Sequence, residues 1–165
     1  MTAIFLEKLF EHHNWANSQL IQACSALTDE QLDAEPQSAT LGSIRRTLWH
    51  LVVTQEGYLS YLTGIPARHS WRDELTFAEI EESARISGDG LLTLARDETD
   101  HPLKTIQTQD GIFMEPWVVM VQAINHATEH REQINSMISA LGMTPLNLDG
   151  WSYGRVTNAL GPVAK

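Results

Sequence analysis

Apolar residues at the start of the chain return at three- and four-residue steps: Phe5, Leu6, Leu9, Phe10, Ala16, Leu20, Ala23, Cys24 and Leu27. An α-helix turns once in 3.6 residues, so this spacing predicts an amphipathic helix over 3–27. Thr28-Asp29-Glu30-Gln31 has the form of a capping box and predicts that the chain restarts there, before a loop containing Pro36. Residues 43–63 carry Ile44, Leu48, Trp49, Leu51, Val52, Val53, Tyr58, Leu59 and Leu62. That helix is apolar on nearly every side, which places it at the centre of the fold. Gly64 to Leu75 has no period and reads as a long loop, closed by a second capping box at Thr76-Phe77-Ala78-Glu79. A third long helix runs on to about Asp97, with Gly88 and Gly90 as points where it is expected to weaken and kink.

From Leu103 to Glu115 the period changes, and Asp110-Gly111 before Ile112-Phe113-Met114 reads as a small hairpin. Pro116 suits the first turn of a fourth long helix over 116–141, stopped by Gly142. The tail, with Pro145 and Gly150, is expected to carry one short helix near 150–160. Four long helices in a chain of 165 residues predict an all-α fold, a four-helix bundle, with residues 1–165 forming one domain. The long connections leave room for topologies other than up-down-up-down.

The fourth helix holds the first chemical signal. Advancing about 100° per residue, Val119, Met120, Ala123, Ala127, Ile134, Met137, Ile138 and Leu141 share one face. Gln122, Asn125, Glu129, Glu132, Ser136 and Ser139 lie largely off it. His126 and His130 fall within the apolar face, one turn apart. Two imidazoles buried side by side are costly unless their ring nitrogens find partners, and a metal ion satisfies both at once. The alternative is a pair of core histidines bonded to nearby carbonyls or carboxylates.

A third ligand has to come from elsewhere, and periodicity leaves two contenders. His50 lies mid-helix on a partly polar stripe with Thr47, Thr54 and Tyr61. His13 shares the apolar face of the first helix with Leu6, Phe10, Ala16, Asn17 and Leu20. His13 and Asn17, four residues apart, are candidates for a fourth ligand, a second layer around the metal or a substrate contact; a polar pair bonded within the bundle is the plainer expectation. His69 and His101 sit among polar residues and are expected in solvent.

Composition narrows the partners. Eleven Lys and Arg stand against 21 Asp and Glu, a net charge of −10. A surface this acidic repels phosphate backbones and anionic membranes, so neither nucleic acid nor membrane is an expected partner. Cys24 is the only cysteine, which excludes an intramolecular disulfide and a thiolate metal cluster. Glu7, Lys8 and Glu11 interrupt the first 15 residues, where no signal peptide is expected. The apolar run Trp117 to Val121 is far too short to span a bilayer. These features together point to a cytoplasmic protein.

The fourth-helix run Asn125-His126-Ala127-Thr128-Glu129-His130-Arg131-Glu132-Gln133-Ile134 resembles the Asn-His-Gly-Thr-His-His-Arg-Gly-Gln signature of the DinB family. Leu48-Trp49-His50-Leu51 is similar to that family's second-helix segment. Leu9-Phe10 with Trp15-Ala16-Asn17 resembles its first-helix motif, and Pro145 to Tyr153 its C-terminal segment. The resemblance implies that His50, His126 and His130 form a three-histidine site for a divalent metal, Zn²⁺ or Ni²⁺. It also implies a bundle with long crossover connections, and often a homodimer. The sequence departs from the family pattern at Glu129, where a histidine is usual, and at His12-His13, where the family has Tyr-Asn.

Three neutral imidazoles leave a cation its full charge and an open position, suited to lowering the pKa of a bound water or thiol. Since members of the resembled family include thiol-dependent S-transferases and isomerases, the first expectation is an enzyme of that class, with a small-molecule substrate and a low-molecular-weight thiol as partners. A metal-dependent hydrolase is the second. A non-catalytic metal-binding or stress-response bundle is the third. His126-Ala127-Thr128-Glu129-His130 also fits a metallopeptidase pattern with Glu129 as base, but helical geometry turns Glu129 toward the polar face.

Overall fold

A computed structural model describes residues 2–37, 39–96, 104–108 and 111–162. Among these the chain forms α1 (Thr2–Ser25), α2 (Asp29–Asp33), α3 (Ile44–Thr63), α4 (Phe77–Arg96), β1 (Ile106–Gln107), β2 (Phe113–Met114), α5 (Pro116–Ala140) and α6 (Gly150–Val156). The long helices α1, α3, α4 and α5 make the expected bundle. Both α1 and α3 pack against α4 and against α5. The bundle therefore has α1 and α3 on one diagonal and α4 and α5 on the other. Consecutive long helices stand on a diagonal twice, so the connection holding α2 and the one holding the β1–β2 ribbon each cross the bundle. None of the described helices is long and apolar enough to cross a membrane.

Local chemistry sets the element ends. Thr28 caps α2 in a reciprocal box with Gln31, and Ser43 caps α3 by accepting from the Arg46 N–H. The second expected box also forms, with Thr76 N and Oγ1 bonded to Glu79 Oε2 and Glu79 N to Thr76 Oγ1. Gly64 ends α3 at φ +73°, and Gly142 follows α5 at φ +79°, a backbone region in which a Cβ is strained. The ribbon is antiparallel, with Ile106 opposite Met114 and Gln107 opposite Phe113.

The expected weak points in α4 do not break it. The helix runs unbroken through Gly88 and Gly90 because neighbouring helices press on them. A Cβ at Gly88 would lie 2.4 Å from Asn14 Oδ1 on α1, and one at Gly90 2.6 Å from Leu59 Cδ2 on α3. The missing side chains let three helices approach closely, which offsets the lower helix propensity of glycine.

Two apolar clusters fill the interior. One gathers Leu20, Leu48, Leu51, Ile80, Ile134 and Met137; the other gathers Phe10, Leu91, Val119, Met120 and Ala123. Along α1, α3 and α4 a buried polar chain falls between them. Gln55 Oε1 accepts from His13 Nε2 at 2.7 Å and from Asn17 Nδ2 at 3.0 Å. The Gln55 amide donates to the Ala84 carbonyl and to Ser87 Oγ. Asn17 Oδ1 accepts from the guanidinium of Arg131, itself only 3% exposed. One amide thus links α1, α3 and α4, and Asn17 extends the link to α5. Cys24 is buried in the first cluster, and burial pushes its thiol up to about 12, which leaves it unreactive.

Two outcomes follow from this chain. Replacing Gln55 by Met keeps the volume but strands the buried donors of His13 and Asn17, and is expected to lower stability by about 2–4 kcal/mol in urea unfolding. Burial also holds His13 neutral, with its pKa down at about 4. Between pH 6.5 and 4 the unfolded chain therefore binds the extra proton, so stability falls as pH falls. His13 should contribute about 3 kcal/mol to that loss by pH 4, and His13→Gln should flatten the dependence of urea-unfolding stability on pH by that amount.

Candidate metal centre

His50 projects from the middle of α3, and His126 and His130 project one turn apart from α5, which packs against it. His130 is buried; His50 and His126 are half-buried. Their Nε2 atoms converge. His50 Nε2 lies 3.0 Å from His126 Nε2, which lies 3.0 Å from His130 Nε2. Each of the three offers a ligand atom within 4.8 Å of the others. Of the two contenders for the third position, the fold brings His50 to the pair and holds His13 in the Gln55 network.

The donor chemistry fits a cation. His130 Nδ1 donates to Gln133 Oε1 at 2.8 Å, so the lone pair of this ring stays on Nε2 and faces the cluster. A single proton on His126 Nε2 can satisfy one neighbour, whereas a cation at the centre satisfies all three. Nitrogens held at about 2.0–2.1 Å in a tetrahedral site lie roughly 3.3 Å apart, close to the spacing seen here. Protonation of His126 and His50 is opposed as well. Burial, followed by the charges of His130 and His50, takes His126 down to about 4. His50 is lowered by burial, then by His130 and Arg46. Imidazoles kept neutral at pH 7 are the form that binds metal.

Aromatic rings flank the cluster. Trp71 lies against His50 at 5.3 Å between centroids, and Tyr58 meets His126 edge-on at 5.6 Å. Trp71 belongs to the long loop between α3 and α4, and that loop is fastened at two points. The Glu56 carboxylate, 4% exposed, accepts from His69 N, His69 Nδ1 and Ser83 Oγ. Trp49 Nε1 donates to the Asp73 carbonyl at 2.8 Å. Together these hold Trp71 beside the histidines.

The remaining histidines fall elsewhere. The expectation that His69 is solvated is corrected: it folds onto buried Glu56, because a carboxylate taken into the core must recover its hydrogen bonds there. His101 lies outside the described residues. His12 Nε2 donates to the Leu148 carbonyl and helps dock the C-terminal segment. His13 and Asn17 meet Gln55 and Arg131, the plainer expectation of a polar pair bonded within the bundle. Glu129 is exposed on the polar face of α5, as its helical angle indicates.

Sequence reasoning did not single out Gln55 or Glu56; it met Tyr58 only as an apolar helix position, and Arg131 and Gln133 only within the DinB-like run, with no role given to any of them. Gln133 was recoverable, since it stands three residues after His130 and so on the same helix face. Nothing in the spacing marks Glu56, whose partners come from a loop and from α4.

The DinB family profile matches residues 1–161. The chain is also 27% identical over 161 residues to the protein DinB of Bacillus subtilis (strain 168), an alignment covering 90% of this chain and 93% of that one. Matched over nearly its whole length, this chain belongs to the DinB family.

Proposed function

We propose that His50, His126 and His130 hold one divalent cation, Zn²⁺ or Ni²⁺, and that the protein is an enzyme whose reaction depends on a low-molecular-weight thiol, as an S-transferase or isomerase. The convergence of three Nε2 atoms from two helices carries this reading. A cation bound by three neutral imidazoles keeps its full double charge and supplies Lewis acidity that lowers the pKa of a coordinated thiol or water.

The surrounding residues favour a thiol. No carboxylate belongs to the cluster among the described residues, and Glu129 is exposed on the polar face of α5. A thiol ionises near 8.5 against roughly 15.7 for water, and so needs far less help. Gln133 keeps the His130 lone pair directed at the cluster. Trp71 and Tyr58 pack against His50 and His126 and present apolar ring surface beside the cluster.

Elemental analysis after reconstitution should give one Zn²⁺ or Ni²⁺ per chain. Alanine at His50, His126 or His130 should weaken binding by about 100-fold or more, and Gln133→Leu by roughly 10-fold. Failure of the reconstituted protein to hold metal near stoichiometry would sink the enzyme reading. Cysteine or glutathione added to metal-loaded protein should release a proton on binding, read with a pH indicator. Absence of binding rules out the thiol-dependent reaction, and ester hydrolysis without thiol would point to a hydrolase instead. Glu129→Gln should leave turnover within about threefold, whereas loss of a general base costs about 100-fold or more.

A further inference from the structure

Beside the histidines lies a cleft of about 290 Å³, lined among others by Val53, Thr54, Gly57, Tyr58, Tyr61 and Trp71. Two of its walls, Tyr58 and Trp71, are the rings that lie against His126 and His50. None of the three histidines lines the cleft itself; the cleft and the cluster lie on either side of these two rings. Thr54 and Tyr58 follow His50 at one-turn steps along α3, so one face of that helix carries a metal-binding residue and two cleft residues.

Two features are costly for the fold alone and make sense in a binding cleft. Thr54 Oγ1 is buried and has no hydrogen-bond partner among the described residues, a state that a hydroxyl adopts at a penalty. Gly57 sits inside α3, where glycine is a poor helix residue, yet a Cβ there would meet nothing within 4 Å. Packing does not demand this glycine, unlike Gly88 and Gly90. Its missing side chain keeps the cleft open.

Charge and size define the occupant. Among the described residues that line the cleft none is a carboxylate, lysine or arginine, and His69, which also lines it, is turned to Glu56. An ionic ligand would lose its hydration without finding a counter-charge. The volume corresponds to roughly ten water molecules, enough for one ring with a small substituent. Tyr58, Tyr61 and Trp71 offer flat faces to such a ring.

We propose that this cleft binds the acceptor substrate of the histidine site, and that the substrate is a small, flat, uncharged molecule whose polar group hydrogen-bonds the Thr54 hydroxyl. Its role as acceptor pocket rests on the metal-site reading above; its capacity to bind such a molecule does not.

Benzamide is a suitable probe, titrated into Zn²⁺-loaded and Zn²⁺-free protein and followed by tryptophan fluorescence and amide chemical shifts. A Kd on the order of 1 mM is expected for a ligand of this size. Thr54→Val should raise it about 5-fold through loss of one hydrogen bond. Gly57→Leu should raise it about 10-fold or more by filling the cleft, with Zn²⁺ affinity kept within about threefold. Gly57→Ala should weaken benzamide about 2-fold while raising the melting temperature by roughly 1–4 °C, so the result does not hang on the bulkier variant folding. In Zn²⁺-free protein, benzoate should bind about 10-fold more weakly than benzamide. Equal binding of benzoate, indifference of benzamide to both Gly57 variants, or no saturable benzamide binding would overturn the proposal. Loss of benzamide binding in Gly57→Leu, together with failure of the wild-type protein to take up Zn²⁺, would keep the cleft and remove the metal-site reading.

Discussion

The amide of Gln55 accepts from His13 and Asn17 on α1 and donates to the backbone and a hydroxyl of α4, while Asn17 in turn holds Arg131 of α5. Apolar packing is non-directional and tolerates small rotations of one helix against another. Buried hydrogen bonds tolerate them poorly, because each group that misses its partner bears a desolvation penalty. This chain of bonds therefore fixes the angular setting of the four long helices. Arg131 follows His130 directly, and Gln55 stands five residues after His50, so the same bonds decide which faces of α3 and α5 meet.

The histidine cluster is a consequence of that setting. His126 and His130 would share a face on any straight helix, but they meet His50 only because α5 presents that face to α3. Once there, burial and the neighbouring imidazoles keep His126 neutral, and Gln133 orients His130. The cluster is thus preorganised by groups that lie outside it. Arg131 illustrates the cost. Its guanidinium is held inside by Asn17 Oδ1 and Thr128 Oγ1, and burial lowers its pKa to about 10, which leaves it charged at neutral pH.

The loop between α3 and α4 shows a second use of buried charge. Glu56 would be expensive in the core without donors, and His69 and Ser83 supply them from the loop and from α4. Burying this carboxylate and pinning the loop are one event, and the loop carries Trp71 to the edge of His50. The wall of the site is therefore fastened by a residue that faces away from it.

The periodicity of apolar residues determined the number, type and approximate limits of the helices, and the capping boxes at Thr28 and Thr76 located two starts. Both signals are local, set by 3.6 residues per turn and by hydrogen bonds reaching three residues along the chain. For the same reason His126 and His130 were legible as a pair, while the third ligand stayed open between His50 and His13 until family resemblance favoured one. The tertiary structure alone brought His50, and not His13, beside the pair, by giving His13 to Gln55 and turning His50 toward α5. It also drew His69 onto Glu56, made packing sites of Gly88 and Gly90, and left Gly57 facing a cleft. Each of these depends on what lies across from a residue rather than along the chain, and contacts between distant segments leave no period in a single sequence.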